Sequence, residues 1–401
     1  MRKVYVAAGY NTTYFGSGRK EFNPKQPMPK FESYLKETAK GTLDLTNSIA
    51  IDEGIIGSFM SGRFINQANL PGFLPFMVPQ LLYQPCSGIE GACGTGGRCL
   101  AMAVRSVLSG LSDSVFVAAF EMQNSLKAVY GADVLAGASY YSRERKEGHA
   151  YFFPGIFAKR AGVYYEKYGY ENARSAMAFW YEKMIQNARR NPKAQEYHNQ
   201  TKDLLACGMT KPDPTVFLPH LNRFDCSKVT DGASSLLVLS EEGLKKCGID
   251  KSKAIEIVAL GESEGDITKE PADLGKFDTT QDAVKKAFQK AKITKDDLSV
   301  LELHDCFTIT ALLGLEAMGF AAPGEAPDFL LEGALQANMS GGLIGFGHPT
   351  GASGVRQMVD LYEQLTGVAP NQAAIQSPFG MMVSMGGNDK TVTAIVVKKT
   401  I

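Results

Sequence analysis

Apolar positions along the chain follow two periods. Short apolar runs at residues 3–8, 114–120, 231–240, 254–260 and 298–303 have strand length. The S-V-F-V-A-A-F run at 114–120 is apolar throughout, as in a strand covered on both faces. Between these runs the spacing lengthens to that of helices. A helix is predicted from Phe31 to about Leu43, and another where Leu100, Ala103, Val104, Val107 and Leu108 recur at i, i+3, i+4, i+7 and i+8. Further helices are predicted up to Lys292, capped by Asp278 or Thr279, over 308–318, and through Val355, Met358, Val359 and Tyr362. A second helical or mixed stretch is expected to reach Ile55. Residues 57–79 then read as a loop whose Phe59, Phe64, Phe73 and Phe76 suit a pocket wall, a subunit contact or a small satellite core. Strand, glycine loop, buried helix and buried strand in succession predict an α/β fold with a layered core.

From about Gln123 to Asn222 the pattern breaks. Tyrosines and phenylalanines, among them Tyr140, Tyr141, Tyr151, Phe152, Phe153, Phe157, Tyr164 and Tyr165, alternate with charges and prolines, which predicts an inserted, mostly helical and irregular module. Beyond it the chain echoes its beginning. C-G-T-G-G at 93–97 has a counterpart in T-G-A-S-G at 350–354, and V-Y-V-A-A-G-Y near the start has one in I-E-I-V-A-L-G near residue 256. Two related α/β halves would bring their glycine-rich helix starts together at a central interface. The expected division is 1–122 with 223–253 as the first half, 123–222 as the insert, and 254–401 as the second half.

Composition narrows the function. The 401 residues are 44% hydrophobic and 21% charged, and 42 basic residues balance 42 acidic ones. There is no electrostatic footprint for nucleic acid or an anionic membrane. No run approaches the ~18 apolar residues of a membrane span, and the apolar start is too short for a signal peptide. The seven cysteines, at 86, 93, 99, 207, 226, 247 and 306, show neither C-x-x-C pairs nor histidines at metal spacing. That usage points to a reducing cytoplasm and no structural metal.

The candidate chemistry gathers in three segments. Cys93 stands among small residues, G-A-C-G-T-G-G, at the mouth of the predicted helix. There the helix dipole and unpaired N–H groups would lower a thiol pKa below its free value of about 8.5, and the Cys93 N–H can help hold an oxyanion. The competing reading is a buried cysteine acting as a small hydrophobe. Of five histidines, His348 lies in S-G-G-L-I-G-F-G-H-P-T-G, where an exposed imidazole can polarise a carbonyl, donate to an oxyanion or keep a thiol ionised. His304 and Cys306 form H-D-C-F at a strand end, where such sheets present their chemistry. A lone histidine is more often structural; thiols and imidazoles together on strand ends and helix starts favour catalysis.

G-A-C-G-T-G-G, H-D-C-F and G-G-L-I-G-F-G-H-P-T-G-A-S-G resemble the catalytic loops of thiolases, in particular the sterol-carrier-protein-type or lipid-transfer-type subclass. D-G-A-S-S-L-L-V and S-M-G-G-N at 384–388 follow in family order. The resemblance implies a five-layer αβαβα fold from two similar halves with an inserted loop domain, and dimers or tetramers. It also implies reversible Claisen chemistry on acyl-CoA, with coenzyme A as co-substrate and no permanently bound cofactor. By the same resemblance, Cys93 would carry the acyl group as a thioester and His348 would activate it. Cys306 would exchange a proton with the α-carbon or the CoA sulfur. His304 stands where many thiolases have a water-positioning asparagine; that water and His348 would form one oxyanion hole, and the N–H groups of Cys93 and Gly386 a second.

Two departures are visible. Ser384 occupies the position of the usual C-terminal cysteine, which leaves Cys306 as the proton-transfer thiol, and Thr95 replaces a serine two residues after the nucleophile. The resemblance leaves the CoA-binding residues unassigned. The favoured function is a thiolase acting on a β-oxoacyl-CoA, and the many aromatics are consistent with a bulky or aryl substrate such as a benzoylsuccinyl-CoA type. The alternatives are a related aldolase or condensing enzyme, or a subunit active only with a small zinc-ribbon and OB-fold partner.

Overall fold

A computed structural model describes residues 2–400 apart from Ile49 and Ala334. The chain begins with β1 (Val4–Asn11), α1 (Phe31–Leu43), β2 (Glu53–Gly57), β3 (Cys86–Ile89), α2 (Thr95–Ser109) and β4 (Ser114–Met122). The insert contributes α3 (Ala128–Leu135), α4 (Phe152–Tyr168) and α5 (Tyr170–Ala188), and β5 (Asp231–Leu239) and α6 (Glu241–Lys246) follow. The second half runs β6 (Ile255–Glu264), α7 (Asp278–Ala291), β7 (Leu298–Glu302), α8 (Thr308–Ala317), α9 (Ser353–Thr366), β8 (Phe379–Gly386) and β9 (Thr391–Lys399).

The strands follow one hydrogen-bonded order, β3-β2-β4-β5-β1-β6-β9-β8-β7. The repeat read in the sequence is explicit in it. In the first half β2 pairs β4 in parallel, β4 pairs β5 and β5 pairs β1 antiparallel; in the second half β7, β8, β9 and β6 repeat that pattern. Even the outer strand β3 has a remnant counterpart, a single parallel bridge between Leu301 and Ala337. The halves join through a short pairing of Val4–Val6 with Ile255–Ile257.

Strand alternation sorts side chains into layers. Val115, Val117, Leu236 and Val238 from the first half, and Met382, Ile395 and Val397 from the second, meet the apolar stripes of α2 and α9 in one central core. The opposite faces are covered separately. Phe116, Ala118 and Leu237 pack on α1, while Met381, Val383, Ala394 and Val396 pack on α7, α8 and the insert helices. The result is the expected five layers. Each fully buried aliphatic side chain contributes about 1.5–3 kcal/mol, so the central layer, closed on both faces, is a rigid platform for whatever its helix starts carry. Those starts nearly touch: a Cβ on Gly96 would lie 2.6 Å from Val355 N, and one on Gly354 only 2.3 Å from Gly97 N. Glycine is what lets the two helices cross so closely.

Three local expectations need correction. The stretch reaching Ile55 ends as a strand, because Ile55 and Ile56 are β-branched, fully buried and paired on both sides by β3 and β4. Leu108 leaves the buried stripe of α2 and is 44% exposed in its last turn. Neither Asp278 nor Thr279 caps α7. The N–H groups of Thr279 and Thr280 bond instead to the Asp389 carboxylate at 2.9 and 3.0 Å, a cap from a residue distant in sequence.

Candidate active site

Cys93 sits in a single turn of 3-10 helix, Ala92–Gly94, that leads directly into α2. Ala92 holds φ at +54°, a strained value for a residue with a Cβ. The turn is pinned by Thr95, whose Oγ1 donates to Ala92 O at 2.7 Å and accepts from Gly91 N at 2.9 Å. The family-divergent threonine therefore does the work of a hydroxyl clamp. Across from it, Gly387, at φ +66°, lines the same cavity as Cys93, and its N–H favours the thiolate. Gly386, expected as an oxyanion donor, lies one residue earlier, and a Cβ there would meet Gly91 O at 2.4 Å.

His348 and His304 come from the second half. Their rings meet edge to face with centroids 5.2 Å apart. Both are buried, so the expectation of an exposed His348 is corrected: the glycine-rich loop around it folds under the insert. The His348 backbone is held at both ends, its N–H donating to Thr230 Oγ1 at 3.0 Å and its carbonyl accepting from Gln123 Nε2 at 2.9 Å. His348 Nδ1 lies 2.7 Å from Ser353 Oγ, and that hydroxyl is oriented toward Pro349 O. With Nδ1 as the donor to this hydroxyl, Nε2 is left as a lone-pair acceptor. His304 is the reverse: Nδ1 accepts from Met385 N at 3.3 Å, so the neutral ring carries its proton on Nε2.

Asp305 and Cys306 continue the H-D-C-F loop. Asp305 accepts from Leu343 N at 2.7 Å and from the indole N–H of Trp180, the chain's single tryptophan, at 3.1 Å. Cys306 is buried and faces the Cys93 side of the site. Cys93, His304, Cys306 and His348 line one cavity of about 300 Å3. Its remaining wall is mostly apolar: Phe64, Phe153, Phe157 and Phe217 on one side, and Ala128, Gly131 and Ala132 of α3 on another. Of the loop aromatics considered as a pocket wall, Phe64 takes that position, while Phe73 packs on Phe31 and Phe76 is partly exposed beside Lys36.

The electrostatics overturn one expectation. Burial pushes the Cys93 thiol up to about 12, aided by the Glu121 carboxylate, against the N–H groups of Gly387 and Cys93 that favour the thiolate. The helix dipole does not win. Burial also holds His304 down to about 3 and His348 well below its usual range, with the Arg356 guanidinium adding to both. Burial, then the neighbouring Cys93, raises Cys306 well above an ordinary thiol. Each of these shifts favours the uncharged form, a thiol at both cysteines and a neutral imidazole at both histidines.

The sequence reading missed several supports. Glu121, one residue before the end of β4, is fully buried and accepts from Ser58 Oγ, Phe59 N, Met60 N, Thr350 Oγ1 and Gly351 N, and so ties the loop after β2 to the loop of His348. A lone carboxylate closing the apolar S-V-F-V-A-A-F run was its signal. Cys226 also lines the cavity, which no spacing in the sequence indicated. Among the described residues no group of three or more His, Cys, Asp or Glu is placed to hold a metal ion, and no helix is long and apolar enough to cross a membrane.

Residues 261–399 match the thiolase C-terminal domain-like family. An acetyl-CoA acetyltransferase of Methanocaldococcus jannaschii is 30% identical, over 98% of this chain and 98% of its own. The benzoylsuccinyl-CoA thiolase subunit BbsB of Thauera aromatica is 26% identical over 96% of this chain and 95% of its own. Among solved structures, an Ltp2-ChsH2(DUF35) aldolase superposes with a TM-score of 0.77 at 17% identity, covering 99% of this chain and 98% of that one, a likeness of fold.

Proposed function

The chain belongs to the thiolase superfamily, and from that premise we propose that it is an acyl-CoA C-acyltransferase that cleaves a β-oxoacyl-CoA, or forms one, through an acyl-Cys93 thioester. The single observation that supports this most is the convergence of Cys93, Cys306, His304 and His348 on one cavity.

In the cleavage direction, His348 Nε2 takes the Cys93 proton as the sulfur attacks the β-carbonyl. The N–H groups of Cys93 and of the Gly386–Gly387 pair stabilise the resulting oxyanion. The C–C bond then breaks, its electrons passing to the α-carbon and thioester carbonyl of the departing acyl-CoA. His304 Nε2–H and the now protonated His348 stabilise that enolate oxygen. Cys306 delivers a proton to the carbon, and its thiolate next accepts the proton of incoming CoA. The CoA sulfur attacks the acyl-Cys93 carbonyl and releases Cys93. His304 as a direct donor replaces the water-positioning role expected at that place. Raised thiol pKa values fit this order, because Cys306 must arrive as an acid and Cys93 must ionise only against a bound carbonyl.

The apolar, phenylalanine-lined cavity supports a bulky or aryl β-oxoacyl group, of the class named for the Thauera aromatica relative. The proposal carries with it the division 1–122 with 223–253, 123–222, and 254–401, a homodimer or tetramer, and a reducing cytoplasm consistent with seven free cysteines. The test is a panel of β-oxoacyl-CoA thioesters with free CoA, followed by peptide mapping. A labile acyl adduct on Cys93 and release of two thioesters are expected. An adduct on Cys86 or Cys99 with Cys93 unmodified would overturn the assignment.

A second reading is a subunit that acts only with a small zinc-ribbon and OB-fold partner, as an aldolase or condensing enzyme. It is favoured by the relative named as a subunit and by the solved aldolase that pairs Ltp2 with a DUF35 protein. Co-purification from the native source, with thiolysis assayed before and after the partner is stripped, separates the two.

A further inference from the structure

Gly387 lines the cavity with Cys93, and its neighbour Gly386 packs so closely on the Cys93 turn that a Cβ on Gly94 would lie 3.1 Å from Gly386 N, yet Gly387 has no side chain to hold it there. It opens the turn between β8 and β9, where Gly387 and Asp389 both have left-handed backbone, φ +66° and +60°. Such a turn keeps its place only through its neighbours. Asp389 spends its carboxylate on the N-terminus of α7, and Lys390 donates from Nζ to Asp266 O and Lys269 O. Asn388, directly after Gly387, has a side-chain oxygen that accepts from Arg160 Nε at 2.6 Å.

Arg160 is an unusual residue to find there. Its guanidinium is fully buried, with Nη1 donating to Leu274 O at 2.9 Å and Lys276 O at 2.8 Å, and Nη2 without a partner. Among the described residues no carboxylate touches it; Asp389, Asp278 and Asp273 act on it from farther away. Burying an arginine without a direct counter-ion is a poor way to gain stability. What the guanidinium does supply is a rigid fork that joins the Asn388 turn to the segment between β6 and α7, which a lysine cannot reproduce. It also lies on α4 one turn after Phe157, a wall of the catalytic cavity.

We propose that Arg160 and Asn388 are positioning residues that fix the Gly387 N–H against the Cys93 sulfur and so support acyl transfer without touching substrate. The inference rests on Cys93 being the nucleophile of the proposed function. Around that thiol, Glu121 and Glu90 oppose ionisation, His348 is the base, and the N–H groups of Cys93 and Gly387 favour the thiolate. Loss of the Arg160 to Asn388 bond lets Gly387 drift and removes one of the two N–H groups.

The experiment compares wild type, Asn388→Ala, Arg160→Lys and Lys167→Ala. Lys167→Ala breaks a different tie between α4 and the same segment, the exposed pair with Asp273 at 2.6 Å. Two readouts are taken: steady-state thiolysis, and iodoacetamide alkylation of Cys93 against pH with peptide mapping. Asn388→Ala is expected to lower kcat about ten- to a hundredfold with KM within about twofold. It should also move the Cys93 alkylation profile to higher pH, with Arg160→Lys in the same direction and Lys167→Ala like wild type. An Asn388→Ala protein with wild-type kcat and alkylation profile overturns the proposal, as does a Lys167→Ala protein that matches Asn388→Ala. Should Arg160→Lys fail to fold, Asn388→Ala decides. Absence of thiolysis in wild type refutes the function reading alone, because the alkylation profiles still test the clamp.

Discussion

The starts of α2 and α9 are built alike and used differently. Each is a glycine-rich turn feeding a buried helix of the central layer, and the two touch through Gly96, Gly97 and Gly354. The first carries a thiol on a strained turn, Ala92–Gly94. The second carries an imidazole, His348, whose Nδ1 pairs with the hydroxyl of Ser353 at the first position of α9. A duplicated scaffold thus places the proposed nucleophile and the proposed base on facing helix starts, while His304 and Cys306 of H-D-C-F come from the end of β7. Its first-half counterpart, β2, ends at Gly57 and carries no such chemistry. Symmetry brings the helix starts together, and divergence of a few residues divides the labour between them.

The close crossing is the feature most easily broken. Gly354→Ala places a methyl group against the Gly97 and Gly96 backbone, where nothing flexible can yield. It is expected to cost about 3 kcal/mol of stability, read by chemical denaturation, and to separate Cys93 from His348. The second helix start is probed by Ser353→Ala. Without the hydroxyl that pairs with Nδ1, His348 loses the partner that orients its ring, and kcat/KM should fall about tenfold while the denaturation midpoint stays close to wild type. The smallest effect is expected at Ser384. Its Oγ is buried without a partner and wedged between Gly97 and Gly354, away from the cavity, so Ser384→Ala should leave thiolysis within about twofold and stability within about 1 kcal/mol.

Much of this was legible in the chain. Runs with period two and period 3.6 gave the strands and helices of both halves, and the weak echo of C-G-T-G-G in T-G-A-S-G marked the pair of helices that cross. Cys93, His304, Cys306 and His348 were singled out by type and setting, and they line one cavity. Their protonation was not legible, because it depends on burial that only the folded insert and the second half create. At Cys93 burial, and then the Glu121 carboxylate, raises the thiol, and neither is visible from the helix start alone. The α7 cap failed for the same reason, since Asp389 lies 111 positions beyond Asp278 in sequence but next to it in space. Glu121 and Arg160 are long-range ties of this kind, and local spacing carries no trace of their partners.

The most direct test of the account is α-carbon exchange. A bound acyl-CoA incubated in deuterated water should lose α-protons in wild type and in Ser384→Ala at similar rates, read by mass spectrometry. In Cys306→Ala exchange should drop on the order of a hundredfold to ten-thousandfold, while acyl transfer to Cys93 persists. Exchange at the wild-type rate in Cys306→Ala, or its loss in Ser384→Ala, would contradict the account and place the carbon acid and base elsewhere in the cavity.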